Sequence, residues 1–319
     1  MEKWYVIMKG LIKAVFPFLG STKPQSTGGT SDSLYCYSTW LRHLILANNG
    51  GMIGIPAEVA ELGPGDSLGT GIAALLSGSK KYYALDVYKY WDEAYNLRIF
   101  DELVLLFRNR TAVAGPETFP KLTPHLDSYA FPSYLLTDEI MSQSLAENRL
   151  TEIRAEIAKP ALSNNYIHYF IPWNDPAVIK NDSLDFVYSQ SVLQYIDMTT
   201  TYSAMQGWLK KGGCMAHVVD MSSLGITKTW NGHWTFSQLE WDLYSYGKKI
   251  TIKRATLSDH LKYAQQYGFE VLKVIPYTKP NTLIKEQLAD EFKQLNVSDL
   301  ETEIAYIFSK KISNVSQGY

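Results

Sequence analysis

Three groups of residues have types and spacings that could do chemistry. The first is Glu61-Leu62-Gly63-Pro64-Gly65-Asp66-Ser67-Leu68-Gly69, which follows a short apolar run and precedes a helical one. Glycine has no Cβ, so the backbone can turn sharply and come close to a ligand. The helix N-terminus beyond offers unpaired N–H groups to an acceptor. Nicotinamide and flavin enzymes use such a turn as well, so the turn alone leaves the ligand open. Glu61, just before the first glycine, could face a cationic ligand. Pro64, Asp66 and Ser67 occupy the turn itself. About twenty residues further on, Asp86 and Val87 close a second strand, where a carboxylate can accept both hydroxyls of a ribose. A helix cap or a surface charge is the competing role for Asp86.

The second group lies after two later strands. Trp173, Asn174 and Asp175 follow one, where Trp173 could stack on an adenine and Asp175 accept its amino group; an ordinary turn is the alternative. Ser189, Gln190 and Ser191 end the next, at the edge where a ligand would lie. The third group is His217, Asp220 and His233. Histidine titrates in the range a general base needs, so His217 or His233 could take a substrate proton with Asp220 orienting it. The same trio could bind a divalent metal or serve as structural hydrogen-bonding groups. Trp230, Asn231 and Trp234, with Tyr195 and Arg254, are the candidates to meet a substrate; Trp230, Trp234 and Trp241 could equally be the core of their own loop.

Positioning these residues requires strands alternating with helices. Strands are expected at 58–62, 82–87, 166–171, 184–189, 214–219, 270–276 and 303–309. Helices are expected at 35–47, 69–76, 199–209 and 258–267, with Lys211-Gly212-Gly213 stopping the third. Short apolar strands between helices imply parallel strands covered on both faces. The expected fold is therefore α/β, a Rossmann-like, mostly parallel sheet of seven strands. Ligands of such sheets bind outside the carboxyl ends of the strands. Residues 88–165 are far longer than an ordinary crossover and read as a helical cap inserted after strand two. Residues 221–256, dense in Trp, His and Tyr, read as a second insertion after strand five. Residues 1–56 form an N-terminal helical segment and lid, and 57–319 the main domain.

Composition narrows the classes. The chain has 319 residues, 46% hydrophobic and 19% charged, as ordinary globular proteins have. A net charge of -2 gives no electrostatic reason to expect nucleic acid. Two cysteines, Cys36 and Cys214, make no disulfide framework and suit a reducing compartment. The stretch from Trp4 to Leu19, broken by Lys9 and Lys13, is too short and charged to span a bilayer. It is expected to dock on the domain, or to lie on a membrane surface as a peripheral contact. The expected location is the cytoplasm. Residues 23–33, polar and rich in turn formers, read as a linker.

On the segments Tyr35 to Leu44, Val59 to Leu76, Tyr82 to Val87, Ser189 to Ile196, His217 to Asp220 and Trp230 to Trp234, the sequence resembles the class I S-adenosylmethionine-dependent methyltransferases. More narrowly, it resembles bacterial small-molecule enzymes found among surface-polysaccharide and natural-product genes. The resemblance covers residues 35 to about 275. It implies S-adenosyl-L-methionine as cofactor and methyl transfer to a hydroxyl, or an amine, of a small-molecule acceptor. It also implies an N-terminal segment closing over the cofactor, which makes Tyr37 and Arg42 candidate cofactor residues. Asp185, near the start of its strand, reads as structural. The chain departs from many relatives at Leu193-Gln194-Tyr195, where they read Leu-Glu-His, and at Ser222-Ser223, where a second histidine often stands. The competing classes are an NAD(P)-dependent oxidoreductase, a nucleic-acid methyltransferase, which lacks its usual Asn-Pro-Pro-Tyr-like motif here, and a non-catalytic adenosylmethionine-binding protein.

Overall fold

The computed structural model describes residues 2–15, 29–90, 92–159, 165–173, 175–248 and 250–312. Its framework is one sheet of seven strands: β1 (Glu58–Leu62), β2 (Lys81–Leu85), β3 (Ile167–Phe170), β4 (Leu184–Gln190), β5 (Leu209–Asp220), β6 (Phe269–Thr278) and β7 (Thr302–Lys311). They lie in the order β3-β2-β1-β4-β5-β7-β6. The first five pair in parallel, and β7 runs antiparallel to both β5 and β6.

Side chains alternate across a strand, so each strand feeds two cores. Val59, Tyr82, Phe186, Tyr188, Ala216 and Tyr306 face one way. There they pack on α2 (Ser33–Asn49), α3 (Gly69–Leu76), α4 (Glu93–Arg108) and α6 (Glu147–Ala158). Ala60, Leu62, Leu85, Val187, Met215 and Ile307 face the other way, onto α7 (Met198–Trp208) and α9 (Leu257–Gln266).

Several expectations change in detail. The helix before β5 ends at Trp208, and β5 already begins at Leu209. The pair Gly212-Gly213 therefore lies inside the strand, where the register slips between Leu184↔Leu209 and Phe186↔Cys214. A Cβ on Gly213 would meet the carbonyl oxygens of Lys210 and Leu184 at 2.9 and 3.1 Å. The glycine pair thus permits an irregular strand instead of stopping a helix.

The stretch 88–165 is not a cap standing off the sheet. Its apolar stripe on α4 (Ile99, Phe100, Leu103, Val104, Phe107) and on α6 (Leu150, Ile153, Ile157) is buried in the same core as α2 and α3. Those residues recur three and four apart, which turns one face of each helix inward. Between them come the connection 109–137 and α5 (Asp138–Ser144). That connection reaches the carboxyl edge: the Thr123 carbonyl accepts from Gln190 at the end of β4, and the His125 N–H donates to the Tyr277 hydroxyl.

The aromatic stretch 221–256 builds two satellite cores. One holds Phe236, Trp241 on α8 (Gln238–Ser245), Ile252 and Ile7 of α1 (Glu2–Val15). The other holds Trp234 with Leu288 and Leu300, the latter on α10 (Val297–Glu301). Of the expected linker, residues 23–28 lie outside the described ones; Gly29–Ser31 form a short 3-10 turn, and Asp32 caps α2 by accepting from the Tyr35 N–H. Among the described residues no helix is long and apolar enough to cross a membrane.

Candidate functional site

The glycine turn leaves β1 as expected and enters α3 at Gly69. Gly63 has φ of +68°, and a Cβ there would meet Val192 Cγ2 at 2.6 Å. Both facts require glycine: the left-handed backbone favours it, and the loop after β4 presses against the turn. Gly65 also has positive φ, +76°. The Asp66 N–H donates to Thr30 Oγ1 at 2.9 Å and the Ser67 hydroxyl to the Thr30 carbonyl at 2.5 Å. The 3-10 turn ahead of α2 thus closes on the glycine turn. Thr30 and Val192 are contacts that sequence reading missed, since neither belongs to a recognisable pattern.

Glu61 is committed to a hydrogen bond within the protein. It is buried on the α2 side of the sheet and accepts from the Tyr82 hydroxyl at 2.6 Å. Burial pushes its carboxyl up to about 7, against the lowering effect of that hydrogen bond. It is neither a partner for a cation nor half of a buried ion pair; its partner is a phenol.

Asp86 sits just past β2, across from the turn. Its Oδ1 accepts from the N–H groups of Val87 at 2.7 Å and Tyr88 at 3.3 Å, while Oδ2 receives one long bond of 3.4 Å from the Gly65 N–H. Burial raises its pKa against these three N–H groups. The second oxygen keeps lone pairs for further donors. Val87 is an exposed apolar side chain next to it.

Of the residues expected beside an adenine, Trp173 donates its backbone N–H to the Asp86 carbonyl at 2.8 Å, and its ring packs edge-on against Trp208 at 5.3 Å. The ring therefore belongs to the α7 core, and Val87 is the apolar group left beside Asp86. Asp175 caps a short 3-10 turn by accepting from the Ala177 N–H. Asn174 lies outside the described residues.

The trio His217, Asp220 and His233 is not brought together as expected. His217 and Asp220 are three apart on one strand, an odd spacing that turns them to opposite faces. His217 looks into the α7/α9 layer, is buried, and shares a 2.9 Å hydrogen bond between Nδ1 and the Ser189 hydroxyl. Burial, with weaker repulsion from His43 and His260, depresses its pKa to about 3. His233 is buried against the Trp234 ring, and burial, with Arg254 adding, lowers it to about 3 as well. Both are held neutral, and no hydrogen bond links either to Asp220. Asp220 stays at the carboxyl edge, where it accepts from the Ser222 N–H at 2.8 Å. Burial raises its pKa, and its charge in turn adds to the burial that raises the Tyr195 phenol. Asp220 and Tyr195 are thus the titratable pair at this edge. Among the described residues no group of three His, Cys, Asp or Glu is gathered to hold a metal ion.

Several other candidates serve the scaffold. Ser189 is committed to His217. Gln190 joins His43 Nε2 at 3.2 Å to the Thr123 carbonyl, and Ser191 makes the turn after β4 with φ of +56°. Tyr37 donates to the Thr111 carbonyl at 2.6 Å. Arg42 donates to the carbonyls of Ser38, Ala114 and Pro124 and lies over the Tyr129 ring. These two anchor the 109–137 connection. Asn231 bonds Asn281, Thr282 and the Leu300 carbonyl, and Trp230 donates to the Pro280 carbonyl. Trp234 is buried with Leu288 and Leu300. Arg254 donates to the Phe236 carbonyl and Gln238 and lies against the rings of Trp241 and Phe292. Aromatic and basic residues in a loop look alike in sequence whether they line a pocket or fill a core; here Trp234 and Trp241 pack in cores, and Trp230 stays half-buried.

No family model and no curated protein matches the chain. Among solved structures, a SAM-dependent methyltransferase from Methanosarcina mazei is 10% identical, covering 84% of this chain and 97% of its own, with a TM-score of 0.43. An S-adenosylmethionine-dependent methyltransferase from Mesorhizobium loti is 13% identical over 83% of this chain and 96% of its own, with a TM-score of 0.41. Geranyl diphosphate C-methyltransferase from Streptomyces coelicolor, solved with Mg2+, geranyl diphosphate and S-adenosyl-L-homocysteine, is 10% identical over 85% and 78%, with a TM-score of 0.43. The sheet itself decides the fold: five parallel strands, then β7 inserted antiparallel between β5 and β6, in the order β3-β2-β1-β4-β5-β7-β6. The chain has a Rossmann-like α/β fold, as expected. In that fold the glycine turn after β1, Asp86 after β2 and Asp220 after β5 all lie along the carboxyl edge of the parallel strands, the place where open α/β sheets bind ligands.

Proposed function

We propose that the chain binds S-adenosyl-L-methionine and methylates a hydroxyl, or an amine, of a small-molecule acceptor of the sugar or natural-product type. The observation that carries this reading is the facing pair of the Gly63–Gly65 turn and the Asp86 carboxylate, whose Oδ2 receives one long hydrogen bond and can take two more donors. A ribose diol supplies two such donors, and the exposed Val87 beside it offers an apolar face to an adenine. The chemistry such a cofactor would supply there is a methyl group activated on a sulfonium, with a neutral thioether as the leaving group. Asp86 would fix the position, and the 109–137 connection, which bonds Gln190 at the carboxyl edge, is the segment that could limit access of water, the two services such a transfer chiefly needs. For a hydroxyl acceptor, Asp220 takes the proton, with the Tyr195 phenol near it. Burial raises this carboxyl toward the range where a general base works well.

Calorimetric titration with S-adenosylmethionine, S-adenosylhomocysteine and NADH tests the cofactor. Binding of the first two, weakened at least about tenfold in Asp86→Ala, is expected, because two hydrogen bonds to a charged group are worth about 1.5–3 kcal/mol each. Binding of NADH alone would assign the turn to an oxidoreductase. A screen of sugar and natural-product acceptors with labelled methyl donor then tests the acceptor class.

A further inference from the structure

Among the described residues, helix α1 packs one apolar face on α8 and leaves a second exposed. Ile7 is buried with Phe236, Trp241 and Ile252, and Val6 and Leu11 pack beside it. Lys3 pairs with Glu240 on α8 at 3.0 Å, and a Cβ on Gly10 would meet the Tyr244 carbonyl at 2.8 Å. The helix is therefore seated on α8 on that side.

Around the helix from this contact, Trp4 is 61% exposed, Tyr5 68%, Met8 52% and Ile12 46%. At 3.6 residues per turn these four span an arc of about 100°. The sequence places Lys9 and Lys13 at the next positions round, about 140° and 180° from Trp4. An exposed arc of Trp, Tyr, Met and Ile, with two lysine positions next round the helix by sequence, has the chemistry of a helix lying in a lipid headgroup layer. Aromatic rings settle at the interface, aliphatic side chains enter it, and lysines meet anionic lipid. A second copy of the chain is the weaker occupant. The four side chains expose on the order of 500 Å², short of the roughly 800 Å² per partner that a stable protein pair buries.

We propose that α1 holds the protein on an anionic membrane surface through the arc containing Trp4, Met8 and Ile12. The proposal does not depend on the cofactor or acceptor. Sedimentation of the full chain with vesicles of phosphatidylcholine containing about a quarter phosphatidylserine tests it, against vesicles of phosphatidylcholine alone. Binding to the anionic vesicles is expected, weaker at high salt and weaker still on the neutral vesicles. The double variant Trp4→Glu, Met8→Glu should lose at least about tenfold in bound fraction while keeping its thermal midpoint. Should that variant misfold, Trp4→Ser, Met8→Ser serves in its place. Ile53→Glu, at an exposed side chain outside α1, controls for added negative charge and should bind like the parent. No vesicle binding by the parent chain, or equal binding by parent and double variant, overturns the proposal. Self-association abolished by the double variant, without vesicle binding, also overturns it and assigns the arc to a second copy.

Discussion

At the scale of single residues, the turn after β1 is constrained from two sides. Gly63→Ala must place a Cβ 2.6 Å from Val192 and hold a positive φ. Each effect costs on the order of 1–3 kcal/mol. Adding Val192→Ala should recover the steric part and leave the backbone part, which urea unfolding of the two variants would resolve. No recovery would mean that Val192 does not press on the turn. The same scale separates the acids from the bases. Asp220→Asn should lower kcat about a hundredfold on a hydroxyl acceptor, the usual contribution of a positioned base. His217→Asn should leave turnover per folded molecule nearly unchanged, because that ring faces the α7/α9 layer and bonds Ser189. The reverse result would return the base to the histidine.

Among the elements, α2 does the most to hold the connection that reaches the carboxyl edge. Three of its side chains hold the connection between α4 and α5: Tyr37 at Thr111, Ser38 at the Ala114 N–H, and Arg42 at the Ala114 and Pro124 carbonyls. A buried guanidinium satisfied by carbonyls is costly to lose, since its acceptors are left without donors. Arg42→Met should cost about 2–4 kcal/mol. It should also speed proteolytic cleavage within 109–137 before it affects the sheet. Limited proteolysis followed by mass spectrometry would show this, and unchanged cleavage there would mean that the connection is held by other contacts.

For the whole molecule, four buried histidines set the response to acid. Burial depresses His43 and His260 to about 4, and His217 and His233 to about 3. Unfolded, each takes a proton near 6.5. Between that pH and the folded values the unfolded chain binds more protons, so stability falls as pH is lowered. Glu61 works the other way. Its folded pKa of about 7 lies above the unfolded one, so its protonated form favours the fold below about 4.5, and that contribution is lost as pH rises through 7. The raised carboxyls of Asp86 and Asp220 act in the same sense as Glu61, but less, and the four histidines outweigh them, so lowering pH from 7 to 5 should cost on the order of a few kcal/mol. Urea midpoints across this range measure it. His260→Phe, with a ring of similar shape and no proton to take, should flatten the dependence.

The sequence alone determined the sheet and its carboxyl edge, because both rest on local chemistry. Apolar runs of strand length separated by helical periodicity gave β1 and α3 at their observed ends, Glu58–Leu62 and Gly69–Leu76. The spacing from the glycines to Asp86 is fixed by one strand-helix-strand unit, so that carboxylate was legible too. Tertiary structure alone decided which way a side chain faces once several elements compete for it. His217, Glu61, Arg42 and Trp234 have the residue types of a reactive site, yet each is turned into a core or onto a backbone carbonyl by packing partners distant in the chain. A strand's alternation says that His217 and Asp220 part company; only the finished sheet, with α7 and α9 on one side and the 109–137 connection at its edge, says that His217 is the one bonded into the buried layer and Asp220 the one left at the carboxyl edge.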